Sequence, residues 1–269
     1  MPYINLNGKI IEAADAYIPV DNGSFRYGYG LFETMLVEDG VIALGGYHWE
    51  RLEKGMQQLQ LALPAYFTTG WMANQVLATV YKNELDHLCR VRLQVFAGGG
   101  GLYGTGNSKA GLLIECFPMD AGIMQLNENG LVTGVATGVA KTVDTLCNLK
   151  TANGLIYAVA ARQAKDRKWN DALIVNTDVR IIESTMANIF WIKDGVVYTP
   201  PLKDGCVAGV MRRRVMEVCT VKEMSLTFGA LSGADEIFLT NAIRKIKWVG
   251  TISGRRYQNT QIKNIAKVL

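Results

Sequence analysis

The sequence predicts two α+β domains, residues 1–117 and 125–269, joined by a linker at 118–124. Three observations carry this. Asn7-Gly8, Asp39-Gly40 and Asp194-Gly195 each sit between short apolar runs, the signal of a tight hairpin. Elsewhere the apolar spacing switches to a helical period. Strands and helices do not alternate regularly, which a doubly wound parallel sheet would require.

Taken in order, Tyr3–Leu6 and Lys9–Ile11 flank the first turn, and Thr34–Val37 and Val41–Leu44 flank the second. Residues Tyr47 to Leu61 place Leu52, Met56 and Leu59 on one helical face, and a second helix is expected from Trp71 to Lys82. Strands follow at Arg90–Phe96 and Gly111–Phe117, split by a glycine-rich loop. The pattern breaks at Pro118-Met119-Asp120-Ala121-Gly122, which places the linker. Beyond it come a strand near Leu131–Thr137, a helix from about Asn153 to Lys168, and a strand at Ala172–Asn176. A third hairpin spans Ile189–Tyr198, a helix opens near Gly209-Val210, and a strand covers Glu236–Leu239.

Hydrophobic residues make up 49% of the 269, enough for a sizeable core, yet no apolar run approaches the roughly 20 residues of a membrane span. The start, Met1-Pro2-Tyr3-Ile4-Asn5, has no basic region followed by an apolar stretch, so no secretory signal and a cytoplasmic location are expected. Cys89, Cys116, Cys147, Cys206 and Cys219 are scattered and never form a CxxC pair, which reads as reduced structural thiols. The net charge of +4 is mild. Its basic clusters, Arg212–Arg214 and Arg255-Arg256, lie beside no aromatic platform, which argues against nucleic acid and fits small anionic substrates. Apart from Arg212, the arginine run reads as a solvated helix face.

Several motifs lead nowhere. Gly99, Gly101 and Gly104 match GxGxxG, but Lys109–Ile114 reads as a strand where a dinucleotide fingerprint needs a helix. No glycine run ends as a P-loop does. His48 and His87 are far apart and read as surface or capping residues, which leaves little material for a catalytic triad or a metal site.

One constellation does carry chemistry. Leu149-Lys150-Thr151-Ala152-Asn153 puts a lysine just ahead of a predicted helix, and Ile181-Ile182-Glu183-Ser184 puts a carboxylate at a strand end. Pyridoxal phosphate (PLP) enzymes need such a pair: an amine to hold the aldehyde and an anion to keep the ring nitrogen protonated. The surrounding words point the same way. Arg26-Tyr27-Gly28-Tyr29-Gly30-Leu31-Phe32-Glu33-Thr34, His48-Trp49-Glu50-Arg51-Leu52, Asn148–Asn153, Asp171–Ser184, Ala187-Asn188-Ile189-Phe190-Trp191 and Ala208-Gly209-Val210-Met211-Arg212 occur in that order. This run, from Ile4 to about Val249, resembles the class IV aminotransferases, the two-domain, D-amino acid aminotransferase-like fold-type IV PLP enzymes.

The resemblance implies roles residue by residue. Lys150 would carry the PLP aldehyde and then act as mobile acid and base. Glu183 would face the pyridine nitrogen. Arg51 would bind the cofactor phosphate, joined by the helix start Gly209-Val210-Met211 and by Thr240 and Asn241. Asn188 and Asn153 would line or brace the site, and Tyr27, Phe32 and Tyr103 would lie on the substrate side. A small anionic amine or amino-acid substrate and a homodimer with its sites between domains are also implied. Within the family, Gly209-Val210-Met211-Arg212, Ala187–Trp191, Thr240-Asn241-Ala242 and the lack of a tyrosine at Leu155 resemble the aminodeoxychorismate lyases. Branched-chain and D-amino acid transaminases are the alternative, and a non-catalytic binding module on the same fold is the remote one. Three positions depart from the family pattern: Ala97 and Leu102 stand in a loop that often supplies an arginine for a substrate carboxylate, and Tyr29 stands where an aspartate is usual.

Overall fold

The computed structural model describes residues 2–99, 102–104 and 109–269. The chain divides into two compact units, 1–123 with 149–153, and 124–148 with 154–269.

The first unit contains β1 (Tyr3–Leu6), β2 (Lys9–Glu12), α1 (Gly23–Tyr27), β3 (Gly30–Glu38), β4 (Val41–Ile42), α2 (Gly45–Gln58), α3 (Thr69–Lys82), β5 (Leu88–Phe96) and β6 (Gly111–Pro118). Its six strands run antiparallel in the order β2-β1-β6-β5-β3-β4. The first hairpin turns through Asn7 at φ 53° and Gly8 at φ 85°, the left-handed values such turns demand. Met35, Val37, Val91, Leu93, Leu112 and Ile114 share a core with Leu52 of α2 and with Met72, Val76 and Val80 of α3. The period of two then sends Phe32, Arg92 and Gln94 to the opposite face.

The second unit contains β7 (Leu131–Val135), α4 (Leu155–Asp166), β8 (Asp171–Val175), β9 (Ile181–Ser184), β10 (Asn188–Lys193), β11 (Val196–Thr199), α5 (Val210–Val218), β12 (Val221–Glu223), α6 (Phe228–Gly233), β13 (Glu236–Asn241), β14 (Lys245–Ile252), β15 (Arg255–Arg256) and α7 (Thr260–Ala266). The strand path runs β10-β13-β14-β7-β8-β9 and returns to β10 through the pairing of Glu183 with Asn188, so six strands form a closed ring. Leu173, Ile181, Ile189, Ile237, Leu239 and Val249 fill one face of that ring. On the other face Phe190, Phe238 and Ile246 meet α5 and α7 through Val215, Ile262 and Ile265, while Ile174 and Ile182 meet Ala160 and Ala164 of α4. Each fully buried aliphatic or phenyl side chain contributes about 1.5–3 kcal/mol by leaving water.

Lys150 groups with the first unit, not with 125–269 where the sequence reading put it. The cause is local. Phe32 N donates to Lys150 O at 3.0 Å, Ala152 N donates to Gly30 O at 2.8 Å, and Leu31 bridges Thr151, so the lysine segment is tied to β3 through an isolated antiparallel bridge. His48 also differs from its expected surface place. It is fully buried on α2, because Glu33 offers its ring a charged partner inside the core. His87 is exposed, its Nδ1 3.5 Å from Asp39.

Candidate functional site

In the first unit, alternate residues of β3 serve two sets of groups. Glu33 faces α2. Its carboxylate accepts Arg51 Nε at 2.8 Å and Arg51 Nη2 at 2.5 Å, and lies 2.6 Å from His48 Nδ1. Burial alone would raise this carboxyl, but the Arg51 charge and the bonds from His48 and Arg51 outweigh it and hold it down to about 2. The guanidinium of Arg51 is therefore fixed in plane by a carboxylate that stays ionised.

Phe32, the residue before, faces the other way. Lys150 Nζ lies 4.4 Å from the centre of its ring and Arg92 Cζ lies 4.0 Å from it. Arg92 donates to Gln94 Oε1 at 2.7 Å, Gln94 donates to Ser24 Oγ at 3.2 Å, and Arg92 Nε is 3.8 Å from Glu115. Asn153 accepts from Thr151 Oγ1 at 2.5 Å and backs onto Gly28, where a Cβ would strike it. Tyr27 and Tyr103 pair with ring centres 5.1 Å apart, and Tyr103 is largely exposed. Tyr29 is structural here: its hydroxyl donates to Leu59 O at 2.5 Å and its ring packs on the first core. Ala97 is buried in that core and Leu102 is exposed. Gly101 of the discarded glycine motif lies outside the described residues, and Leu102–Gly104 forms a short 3-10 turn.

In the second unit, Glu183 is 3% exposed and receives three donors. Lys141 Nζ reaches Oε1 at 2.7 Å, Tyr157 OH reaches the same oxygen at 2.8 Å, and Val207 N reaches Oε2 at 2.9 Å. Asn188, paired across the ring with Glu183, donates to Val207 O at 2.9 Å. Gly209 N-caps α5 without any side-chain bond to its first turn, a helix start of the kind that can receive an anion. A Cβ on Gly209 would collide with Asn188 Oδ1. Thr240, paired with Asn188, has a buried hydroxyl with no hydrogen-bond partner among the described residues, and Asn241 caps its own turn through Ile243 N and Arg244 N.

Taken unit by unit, the groups are of the kinds PLP uses: a lysine and a fixed guanidinium in the first, and a fixed carboxylate, an uncapped helix start and a buried hydroxyl in the second. Arg212 is buried on Pro200 O and Glu223, while Arg213 and Arg214 are partly exposed, as a helix face allows. Sequence reasoning missed Glu33, Arg92, Lys141 and Tyr157. Only Glu33 had a signal, because it follows Phe32 in the same word and precedes the Arg51 helix.

Residues 30–251 match the family model for amino-transferase class IV. The chain belongs to that family. It is thus a PLP-dependent lyase or transaminase. Its relatives include the aminodeoxychorismate lyase of Vibrio harveyi, 29% identical over 242 residues and 88% of each chain. A Methanocaldococcus jannaschii protein, provisionally named a branched-chain-amino-acid aminotransferase, is 31% identical over 99% of this chain and 93% of its own. The branched-chain aminotransferase of Thermoproteus uzoniensis has the same fold, with a TM-score of 0.89 at 24% identity over 99% of this chain and 92% of that one. Among the described residues of this class IV chain, no helix is long and apolar enough to cross a membrane, and no group of His, Cys, Asp and Glu could hold a metal ion.

Proposed function

We propose that this class IV enzyme is a 4-amino-4-deoxychorismate lyase, forming 4-aminobenzoate and pyruvate for folate biosynthesis. The observation that carries the reading is the Phe32 ring, with Lys150 Nζ 4.4 Å and Arg92 Cζ 4.0 Å from its centre. A substrate with one amine and two carboxylates needs a base beside a fixed cation. Arg92 supplies the cation that Ala97 and Leu102 cannot. Similarity to the Vibrio harveyi lyase supports the same substrate class.

When bound, PLP supplies an electron sink conjugated with the substrate amine. Lys150 Nζ would hold the aldehyde and, when free, would take the proton from the amine-bearing ring carbon. Glu183 would keep a proton on the pyridine nitrogen. Arg51, the amides of Val210 and Met211, and Thr240 with Asn241 would hold the phosphate, while Asn188 braces Gly209 and Asn153 braces Gly28. Arg92 would hold a substrate carboxylate, with the Phe32 ring in contact with both cations. Tyr27 and Tyr103 close the substrate side. Loss of the enolpyruvyl group aromatises the ring, and protonation releases pyruvate.

The second reading, branched-chain or D-amino acid transamination, is favoured by the Methanocaldococcus jannaschii relative, which matches nearly the whole chain. Purified protein incubated with PLP and aminodeoxychorismate should release 4-aminobenzoate. If it instead converts valine or D-alanine with 2-oxoglutarate and leaves aminodeoxychorismate intact, the transaminase reading replaces the lyase. A cytoplasmic homodimer belongs to the same proposal. The exposed Val20, Phe25, Leu102 and Tyr103 support it as apolar surface that a second copy would cover.

A further inference from the structure

We infer that Lys141 and Tyr157 are positioning residues for the reaction, and that Lys141 sets how strongly Glu183 holds a proton on the pyridine nitrogen. The inference rests on the reading above that Glu183 faces that nitrogen.

A carboxylate has about four acceptor positions on its two oxygens. Among the described residues three of those of Glu183 are used, by Lys141, Tyr157 and Val207, which leaves room for one further donor. The three donors come from separate elements. Lys141 follows β7 and is pinned to β8, since Lys141 N donates to Val175 O at 2.9 Å and Thr177 N donates to Lys141 O at 3.1 Å. Tyr157 projects from α4, and Val207 lies just before α5. A carboxylate held from three sides cannot rotate away from a ring placed against its remaining position.

The two side-chain donors form one unit. Lys141 Nζ stands 5.5 Å from the centre of the Tyr157 ring, and both reach the same oxygen. Burial, then the Glu183 charge, pushes the Tyr157 hydroxyl well above the usual phenol range, so it remains a donor. Lys141 differs by its charge. An ammonium 2.7 Å from Oε1 takes up part of the carboxylate's negative charge. The ring N–H then meets a weaker acceptor than an unpaired carboxylate would be. Tyr157 aims the carboxylate, and Lys141 both aims and moderates it.

The test uses holoenzyme loaded with PLP carrying 15N at the pyridine position, in the wild type and in Lys141→Gln, Lys141→Arg, Tyr157→Phe and Glu183→Gln. The readouts are the nitrogen chemical shift and the PLP dissociation constant. Lys141→Gln should move the signal toward its protonated value, and Lys141→Arg should restore the wild-type position. Tyr157→Phe should weaken PLP binding about tenfold, the loss of one charge-assisted bond, with little change of the signal. A Lys141→Gln protein with wild-type signal and wild-type affinity overturns the inference. If Glu183→Gln leaves the signal unchanged, the placement of Glu183 at the nitrogen fails instead. The arginine and phenylalanine variants keep most of the buried volume, so one unfolded glutamine variant would not remove the test.

Discussion

Arg51 and Glu33 meet through two parallel hydrogen bonds, Nε to Oε1 at 2.8 Å and Nη2 to Oε2 at 2.5 Å. The fork fixes the guanidinium in one plane, the arrangement the proposed phosphate contact would need. Glu33→Gln should therefore weaken PLP binding at least tenfold. It should also destabilise the apoprotein by about 3–5 kcal/mol, since Arg51 loses its buried counter-charge and His48 its carboxylate partner. Fluorescence titration with PLP and urea unfolding measure the two effects.

The same carboxyl gives a pH dependence with a defined sign. Its folded value, about 2, lies below the ordinary 4.5, so its stabilisation is fully present above pH 4.5 and is lost as pH falls toward 2. The full loss is on the order of 3 kcal/mol. Urea midpoints between pH 6 and pH 3 should fall in the wild type and fall less in Glu33→Gln. Equal slopes would remove Glu33 as the source.

Lys150→Ala should abolish product formation. Its thermal midpoint should stay within about 4 °C of wild type, as expected for a shift below 1 kcal/mol. Borohydride reduction should fix the cofactor to the wild-type chain at Lys150 and to no residue of the variant.

Much of the architecture was legible because its signals are local. Asn7-Gly8, Asp39-Gly40 and Asp194-Gly195 mark their hairpins by backbone conformation alone. Helix α1 has only five residues, too few for a helical period to register, and β14 and α7 passed without a signal strong enough to place them. The closure between Glu183 and Asn188 is a register between strands, which no local pattern encodes. The family words pointed to Lys150, Glu183 and Arg51. They said nothing of Lys141, Tyr157 or Arg92, whose roles depend on side chains brought together from distant segments. His48 was misplaced for the same reason: its partner is 15 residues away on β3.

Arg92→Gln should raise KM for the carboxylate-bearing substrate about tenfold or more while kcat changes less, because the lost contact serves binding. Its guanidinium has Gln94 as a neutral partner at 2.7 Å and Glu115 only at 3.8 Å. Steady-state rates with aminodeoxychorismate test this. A fall in kcat with KM unchanged would assign Arg92 to the chemical step instead.

Thiol titration should report burial. The chain has five cysteines, and four of them are buried. Burial, with the Glu183 carboxylate next, pushes the Cys206 thiol up to about 12, and burial with its neighbours raises Cys116 to about 12 as well. Ellman's reagent at pH 8 should modify at most Cys219 in the native protein and all five thiols in guanidinium.

The closed ring of strands has an implication for how this scaffold can change its chemistry. With β9 and β10 locked edge to edge, a slip of one residue at Glu183 would have to propagate through every other strand of the circuit. The anion's location is thus inherited from the circumference and is hard to edit piecemeal. New specificities on such a frame should accumulate at side chains outside the circuit, where substitution leaves the strand alignment intact.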